Sequence, residues 1–268
     1  MSKKSPTDRS AKGSSRLPLQ FWIVASIAFI NSVSFTIIIP TLYPYAKQFG
    51  LSDFEASLLT TAYSLSQFLG TPILGQLSDR WGRRPLLVIS LLGTVVSNLV
   101  AAIAGVPWLL FAARIFDGVT GGNNSIAQAV VSDITSAEQR TQAFGIYSGL
   151  FRLGFVAGPP LSYVAQLVPP VRVGPFGVSS LGMSFLVSAA IALVAAVMCF
   201  FFLSETQGAA VGGKVANKEL SEAESGANRP GRKKLNFVSL FTALGRPMVG
   251  RILLMTFLNG FTFTIFTF

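Results

Sequence analysis

Two small groups of side chains in this sequence have the means to do chemistry. The first is the stretch GQLSDRWGRRP at 75–85, where Asp79, Arg80, Arg83 and Arg84 stand between Gly75 and Gly82 and just beyond them. The second is Arg114 and Asp117, three positions apart inside an apolar run, with Arg152 alone in a later one. Guanidinium and carboxylate at such spacing form ion pairs and charge-assisted hydrogen bonds. There is no histidine, so the usual proton shuttle and commonest metal ligand is missing. No metal, no cofactor and no enzymatic reaction is expected. The stretch 208–215, GAAVGGKV, nearly spells a phosphate-binding loop. Val215 stands where the Mg²⁺-binding hydroxyl belongs, and no strand precedes it.

The setting of these charges is strongly apolar. Hydrophobic residues make up 51 % of the 268, charged residues only 12 %, and there are 23 phenylalanines. With a mean hydropathy of +0.57, that is too apolar for an ordinary soluble domain. The composition indicates a multi-pass membrane protein. Crossing about 30 Å of hydrocarbon takes roughly 20 apolar residues. Seven runs qualify, at 21–39, 55–77, 86–105, 108–131, 142–167, 180–203 and 250–268. The first is read as a retained helix, since no small-residue cleavage site follows it. The single cysteine, Cys199, excludes an intramolecular disulfide.

The net charge of +10 would suggest nucleic acid in a soluble chain. Here the basic residues gather at the ends of apolar runs, so no nucleic-acid partner is expected. Seventeen of the 21 Lys and Arg fall in the tail, the even-numbered connections or the long linker. Only Lys47 and Arg172 fall on the other side, which puts the amino terminus in the cytoplasm of a cell-membrane protein. The expected organisation is a basic cytoplasmic tail at 1–20, a six-helix bundle at 21–203, a cytoplasmic linker at 204–249 and a seventh segment at 250–268. Within the linker, RPGRKK at 229–234 is placed against anionic lipid headgroups.

In this frame 78–85 is a tight cytoplasmic turn. Gly82 suits a positive φ inside it, and Gly75 suits a close helix approach. Arg114, Asp117, Gly118, Gly121, Gly122 and Ser125 recur at helical spacing on one face. Gly118 and Gly122 form a small-xxx-small packing surface, and Arg114 and Asp117 can neutralise each other. That pair reads either as structural glue or as a functional site, because charge inside a membrane is costly. Arg152 falls on the Gly145–Gly149 side of its helix and is expected to face a cavity, to attract an anion or pair with Asp117. Asn31, Gln67, Asn123, Asn124 and Gln128 are polar enough to line such a cavity or to bond neighbouring helices.

The run Gly75-x-Leu77-Ser78-Asp79-Arg80-x-Gly82-Arg83-Arg84 resembles the major facilitator superfamily signature between helices two and three. Arg114 with Gly118 resembles its second signature. Gly145, Gly154, Gly158 and Pro159, with Gly149 among them, resemble the helix-five signature of the drug/proton antiporter branch, the tetracycline-resistance type. Ser162 and Tyr163 replace the final glycine pair of that pattern, and Asn31 stands where many relatives carry a helix-one carboxylate. The resemblance implies an all-α fold, of which this chain matches the amino-terminal half: one six-helix bundle plus a seventh helix. It implies a conformational latch at Asp79 and Arg83, with Gly75, Arg80, Gly82 and Arg84 in the same signature and Asp133 and Arg140 as supporting charges. Asp117 is the only acid deep within the first six runs, so a translocation path is expected past Arg114 and Asp117, with Asp117 the candidate proton site.

The function expected is secondary active transport, proton-coupled efflux of small molecules or drugs by alternating access. The alternatives are a sugar or metabolite carrier of the same superfamily, or a non-transporting scaffold or truncated product. A seven-helix receptor has the opposite orientation, and segment seven offers no lysine for retinal. The expected partners are a small-molecule substrate, protons, membrane lipid, and a missing carboxy-terminal half or second chain.

Overall fold

In the computed structural model, which describes residues 17–173 and 176–205, helices account for most of the described residues. The basic tail, the linker from 206, RPGRKK and the seventh segment lie outside the described residues. The elements are α1 (Leu19–Gln48), α2 (Asp53–Trp81), α3 (Arg83–Ala102), α4 (Pro107–Thr120), α5 (Asn123–Ile134), α6 (Ala137–Gln166), β1 (Val171–Val173), β2 (Phe176–Val178) and α7 (Ser180–Phe202). Of these, α1, α3 and α7 are by themselves long and apolar enough to cross a membrane. Helix α1 packs against α6 and α7, α3 against α7 and α4, and α2 against α4.

Three helices, α2, α4 and α7, start where local chemistry favours a start. Ser52 closes a capping box with Glu55 at the head of α2, and Ser179 accepts from Gly182 N–H at the head of α7. Pro107 occupies the first position of α4. Helix α6 runs on through Pro159 and Pro160.

Three boundaries differ from the sequence reading. The fourth span is two helices, because consecutive glycines at 121 and 122 break it. The carbonyls freed there find side chains: Ser90 donates to Thr120 O, and Gln67 Nε2 donates to Gly121 O at 3.0 Å. The turn expected over 78–85 shrinks to Gly82 alone, with φ +107°. Ser78, Asp79 and Arg80 therefore belong to the last turn of α2. The connection before α7 also pairs as a two-stranded antiparallel ribbon, Val171 opposite Val178, in an otherwise helical fold.

The interior is layered along the helix axes. One apolar cluster joins Phe21, Leu87, Ile126, Val130, Tyr147 and Cys199 at one end. A second joins Tyr45, Leu59, Leu110 and Phe185 at the other. Between them along α1 lie Asn31, Ser32, Ser34 and Thr36, all buried. A polar middle between two greasy ends is where the site must be sought.

Candidate functional site

At the centre of the bundle Arg114 and Asp117 meet, Nη2 to Oδ2 at 3.3 Å, with residue exposures of 2 % and 3 %. Arg114 Nη2 also donates to Asn98 Oδ1 at 2.9 Å, and Asn98 Nδ2 donates to Ser188 Oγ at 3.0 Å. Ser188 Oγ donates to Ser34 O at 2.7 Å. One polar chain thus runs from α4 through α3 and α7 to α1. The guanidinium also lies over the rings of Phe185 and Tyr63, at 5.6 and 5.9 Å. Arg114 Nε has no hydrogen-bond partner among the described residues.

Asp117 opens from this chain into a cavity of about 180 Å³. Asn31, Gln67, Asn98, Asn123 and Asn124 supply its carboxamides, Tyr63 and Thr94 its hydroxyls, and Phe35 and Phe151 its aromatic walls. Asn123 Nδ2 donates to Asn31 Oδ1 at 3.1 Å, which joins α5 to α1 across it. Gln67 also donates to Tyr63 OH at 3.0 Å. The arrangement offers one carboxylate among neutral donors and acceptors. It can hold or release a proton, and it can hydrogen-bond a polar solute.

The second group gathers at Gly82. Arg83 Nη1 lies 2.6 Å from Asp79 Oδ1, and its Nε lies 3.1 Å from Asp133 Oδ2 on α5. Arg83 Nη1 also donates to Ser78 Oγ at 2.7 Å. Arg84 donates to the carbonyl of Phe200 and stands over its ring at 5.4 Å. Arg140 donates to Ser132 O at 3.1 Å. Arg80 is exposed at the end of α2.

Helix packing uses some of the glycines and not others. A Cβ on Gly118 would lie 2.7 Å from Ser66 Cβ, and one on Gly122 would lie 2.6 Å from Leu74 Cδ1, so both seat α2. Gly154 and Gly158 seat α1, against Ser32 and Thr36. Those two hydroxyls bond across the seam, Ser32 to Phe151 O at 2.6 Å and Thr36 to Gly154 O at 3.0 Å. The packing expected of Gly75, Gly145 and Gly149 is not found: nothing described lies within 4 Å of a Cβ there. Pro159 is likewise exposed.

Arg152 needs correction as well. It is exposed on α6 and absent from the cavity wall, and Arg114 takes the place beside Asp117. The Gly145–Gly149 side of α6, where Arg152 sits, is exposed among the described residues. Gln128 is also exposed. Sequence reasoning missed Asn98, Tyr63 and Ser188, and it missed Glu205. A lone asparagine within the apolar run VVSNLV at 95–100 was the available signal for Asn98.

A helical bundle with a polar centre, a broken fourth span and an ion-pair cluster at the second connection defines a polytopic membrane protein. The chain belongs to the Major Facilitator Superfamily, whose family model matches residues 24–268. It is 39 % identical over 140 residues to the class C tetracycline resistance protein of Escherichia coli, covering 51 % of this chain and 35 % of that protein. It is 32 % identical over 203 residues to the class E protein of Escherichia coli, covering 74 % and 47 %. It thus spans less than half the length of these relatives. Among solved structures, a bacterial homologue of the human lysosomal transporter Spinster superposes with a TM-score of 0.64 at 17 % identity. That match covers 84 % of this chain and 48 % of the other, and it shares the fold.

Proposed function

We propose that this bundle is the proton-carrying half of a secondary transporter that exports drug-like molecules, tetracycline-class compounds first among them, by alternating access. The observation that carries the reading is Asp117, a buried carboxylate that pairs with Arg114 and also faces the central cavity. A buried charge in a membrane span costs about 2.5–3.5 kcal/mol at the helix centre, and such residues mark ion and substrate paths. The cavity of about 180 Å³ is smaller than a drug-sized site of ~300–1,000 Å³. It serves as one wall of a pocket that a second bundle completes, around which the two halves rock.

In this account Asp79, Arg83 and Asp133 form a latch that biases one conformation without touching substrate. The amino terminus is cytoplasmic, so the Gly82 end of the bundle faces the cytoplasm. The direct test is tetracycline transport in vesicles with and without a proton gradient. The chain is used alone and co-expressed with a carboxy-terminal bundle of the family. Gradient-driven accumulation in the co-expressed case supports the reading. Binding without any gradient-dependent flux contradicts it. Asp79→Asn should slow that flux and leave tetracycline affinity unchanged; a matching loss of affinity removes the latch.

A further inference from the structure

The first N–H groups of an α-helix have no acceptor within the helix and need one from elsewhere. At α3 the usual supplier is missing. Gly82, the residue before the helix, has no side chain, and no side-chain cap is formed by it. Pro85, third in the helix, has no N–H to satisfy. The two donors that remain are Arg83 and Arg84, and both are met by one residue from the far end of the bundle's sequence. Glu205 Oε1 accepts from Arg83 N at 2.9 Å, and Oε2 accepts from Arg84 N at 3.3 Å. A carboxylate at a helix N-terminus also meets the positive end of the helix dipole.

Gly82 answers to this contact as well as to its φ of +107°. A Cβ there would stand 2.5 Å from Glu205 Oε2 and 3.0 Å from its carboxyl carbon. A side chain at 82 would make the carboxylate give way from this position over the two amides. The hold is reinforced next door, where Arg84 grips the Phe200 carbonyl and ring on the last turns of α7.

We propose that Glu205 is a positioning residue for the Asp79–Arg83–Asp133 cluster, fixing the Arg83 backbone so that its guanidinium reaches both acids. The proposal deepens the latch reading and rests on it. Glu205 is the third residue beyond the end of α7, so the connection leaving α7 and the hinge between α2 and α3 move as one unit. Arg83 is then held from two sides: its amide by Glu205, its guanidinium by Asp79 at 2.6 Å and Asp133 at 3.1 Å.

The test is read on the 268-residue chain in lipid nanodiscs. In Glu205→Ala, hydrogen exchange of the Arg83 and Arg84 amides should quicken by about fivefold or more, the loss expected of a helix cap. Glu205→Gln keeps a carbonyl acceptor without the charge, so its exchange should quicken less; it carries the decision where the alanine variant does not fold. A thermal-unfolding cycle with Asp133→Asn then separates positioning from simple capping. Asp133 touches Arg83 and not Glu205, so the two losses should sum to more than the loss in the double variant. Unchanged exchange, or additive losses, overturns the proposal. Transport by Asp79→Asn judges the latch separately. If that flux falls while exchange in the Glu205 variants is unchanged, the latch stands and Glu205 does not. If the flux is unchanged while exchange quickens, the latch falls and the cap on α3 remains.

Discussion

Arg114 and Asp117 sit one helical turn apart on α4, both almost wholly buried, with guanidinium and carboxylate 3.3 Å apart. Each is therefore the other's compensation. Arg114 makes the additional bond to Asn98 and contacts two rings, and Asp117 is also bonded by the Ser97 and Thr94 hydroxyls, so both are engaged beyond the pair.

Breaking a buried pair by removing one partner leaves an uncompensated charge, at a cost of about 3–5 kcal/mol. Arg114→Ala and Asp117→Ala should each lower stability on that scale. The double variant should cost clearly less than the two losses added. Equilibrium unfolding of all four proteins in one detergent checks this. Additive losses would mean that the two side chains do not depend on each other.

The glycines divide by what a methyl group would meet. Gly118→Ala puts a Cβ 2.7 Å from Ser66 Cβ and also into the α2 backbone at Tyr63, and must push α2 from α4. Overpacking of this kind costs about 1–3 kcal/mol. Gly149→Ala meets nothing within 4 Å among the described residues, and alanine is the better helix former by about 1 kcal/mol. Thermal unfolding should therefore drop for the first variant and hold or rise for the second. A loss at Gly149 equal to that at Gly118 would show that this face of α6 is covered as tightly as α4.

Much of this was legible in the sequence, for physical reasons that can be named. Apolar length fixed the spans, because a membrane leaves the backbone few ways to satisfy its hydrogen bonds. Spacing brought Arg114 and Asp117 onto one face, since residues three apart on a helix are neighbours. What could not be read was which side of a helix faces its neighbours. Arg152 and Gly149 share a face with Gly145, yet that face packs against none of the described residues, and α6 seats α1 with Gly154 and Gly158 instead. Glu205 was hidden for another reason. Its partners lie more than 120 residues away, and no local pattern links a carboxylate after α7 to two amides at the start of α3. The break at Gly121–Gly122 was written in the sequence as a glycine pair. It was passed over because the apolar pattern continued through it.

At the connection between α1 and α2, Asp53 accepts from Tyr43 OH at 2.7 Å and pairs with Lys47. The bond to Lys47 first, then that to Tyr43, holds its carboxyl below the ordinary value of 3.8. The folded form thus favours the charged carboxylate. Its contribution is fully present above the unfolded value, at about pH 4, and is lost as acid carries the pH down through the folded pKa. A carbon-labelled aspartate NMR titration should place this midpoint below 3.8, and Lys47→Ala should raise it. A midpoint that does not move in Lys47→Ala would mean the ion pair is not held in solution.

Whether Asp117 carries the coupling proton is decided by transport in Asp117→Asn. The variant is assembled with a carboxy-terminal bundle in vesicles, and uphill accumulation and downhill exchange of tetracycline are measured side by side. Asparagine keeps the shape and cannot ionise, but it leaves Arg114 without its counter-ion, so folding of the variant is verified first by unfolding. Proton-driven accumulation should then be abolished while downhill exchange persists. Uphill accumulation at the unsubstituted rate would contradict the account and remove Asp117 from the mechanism.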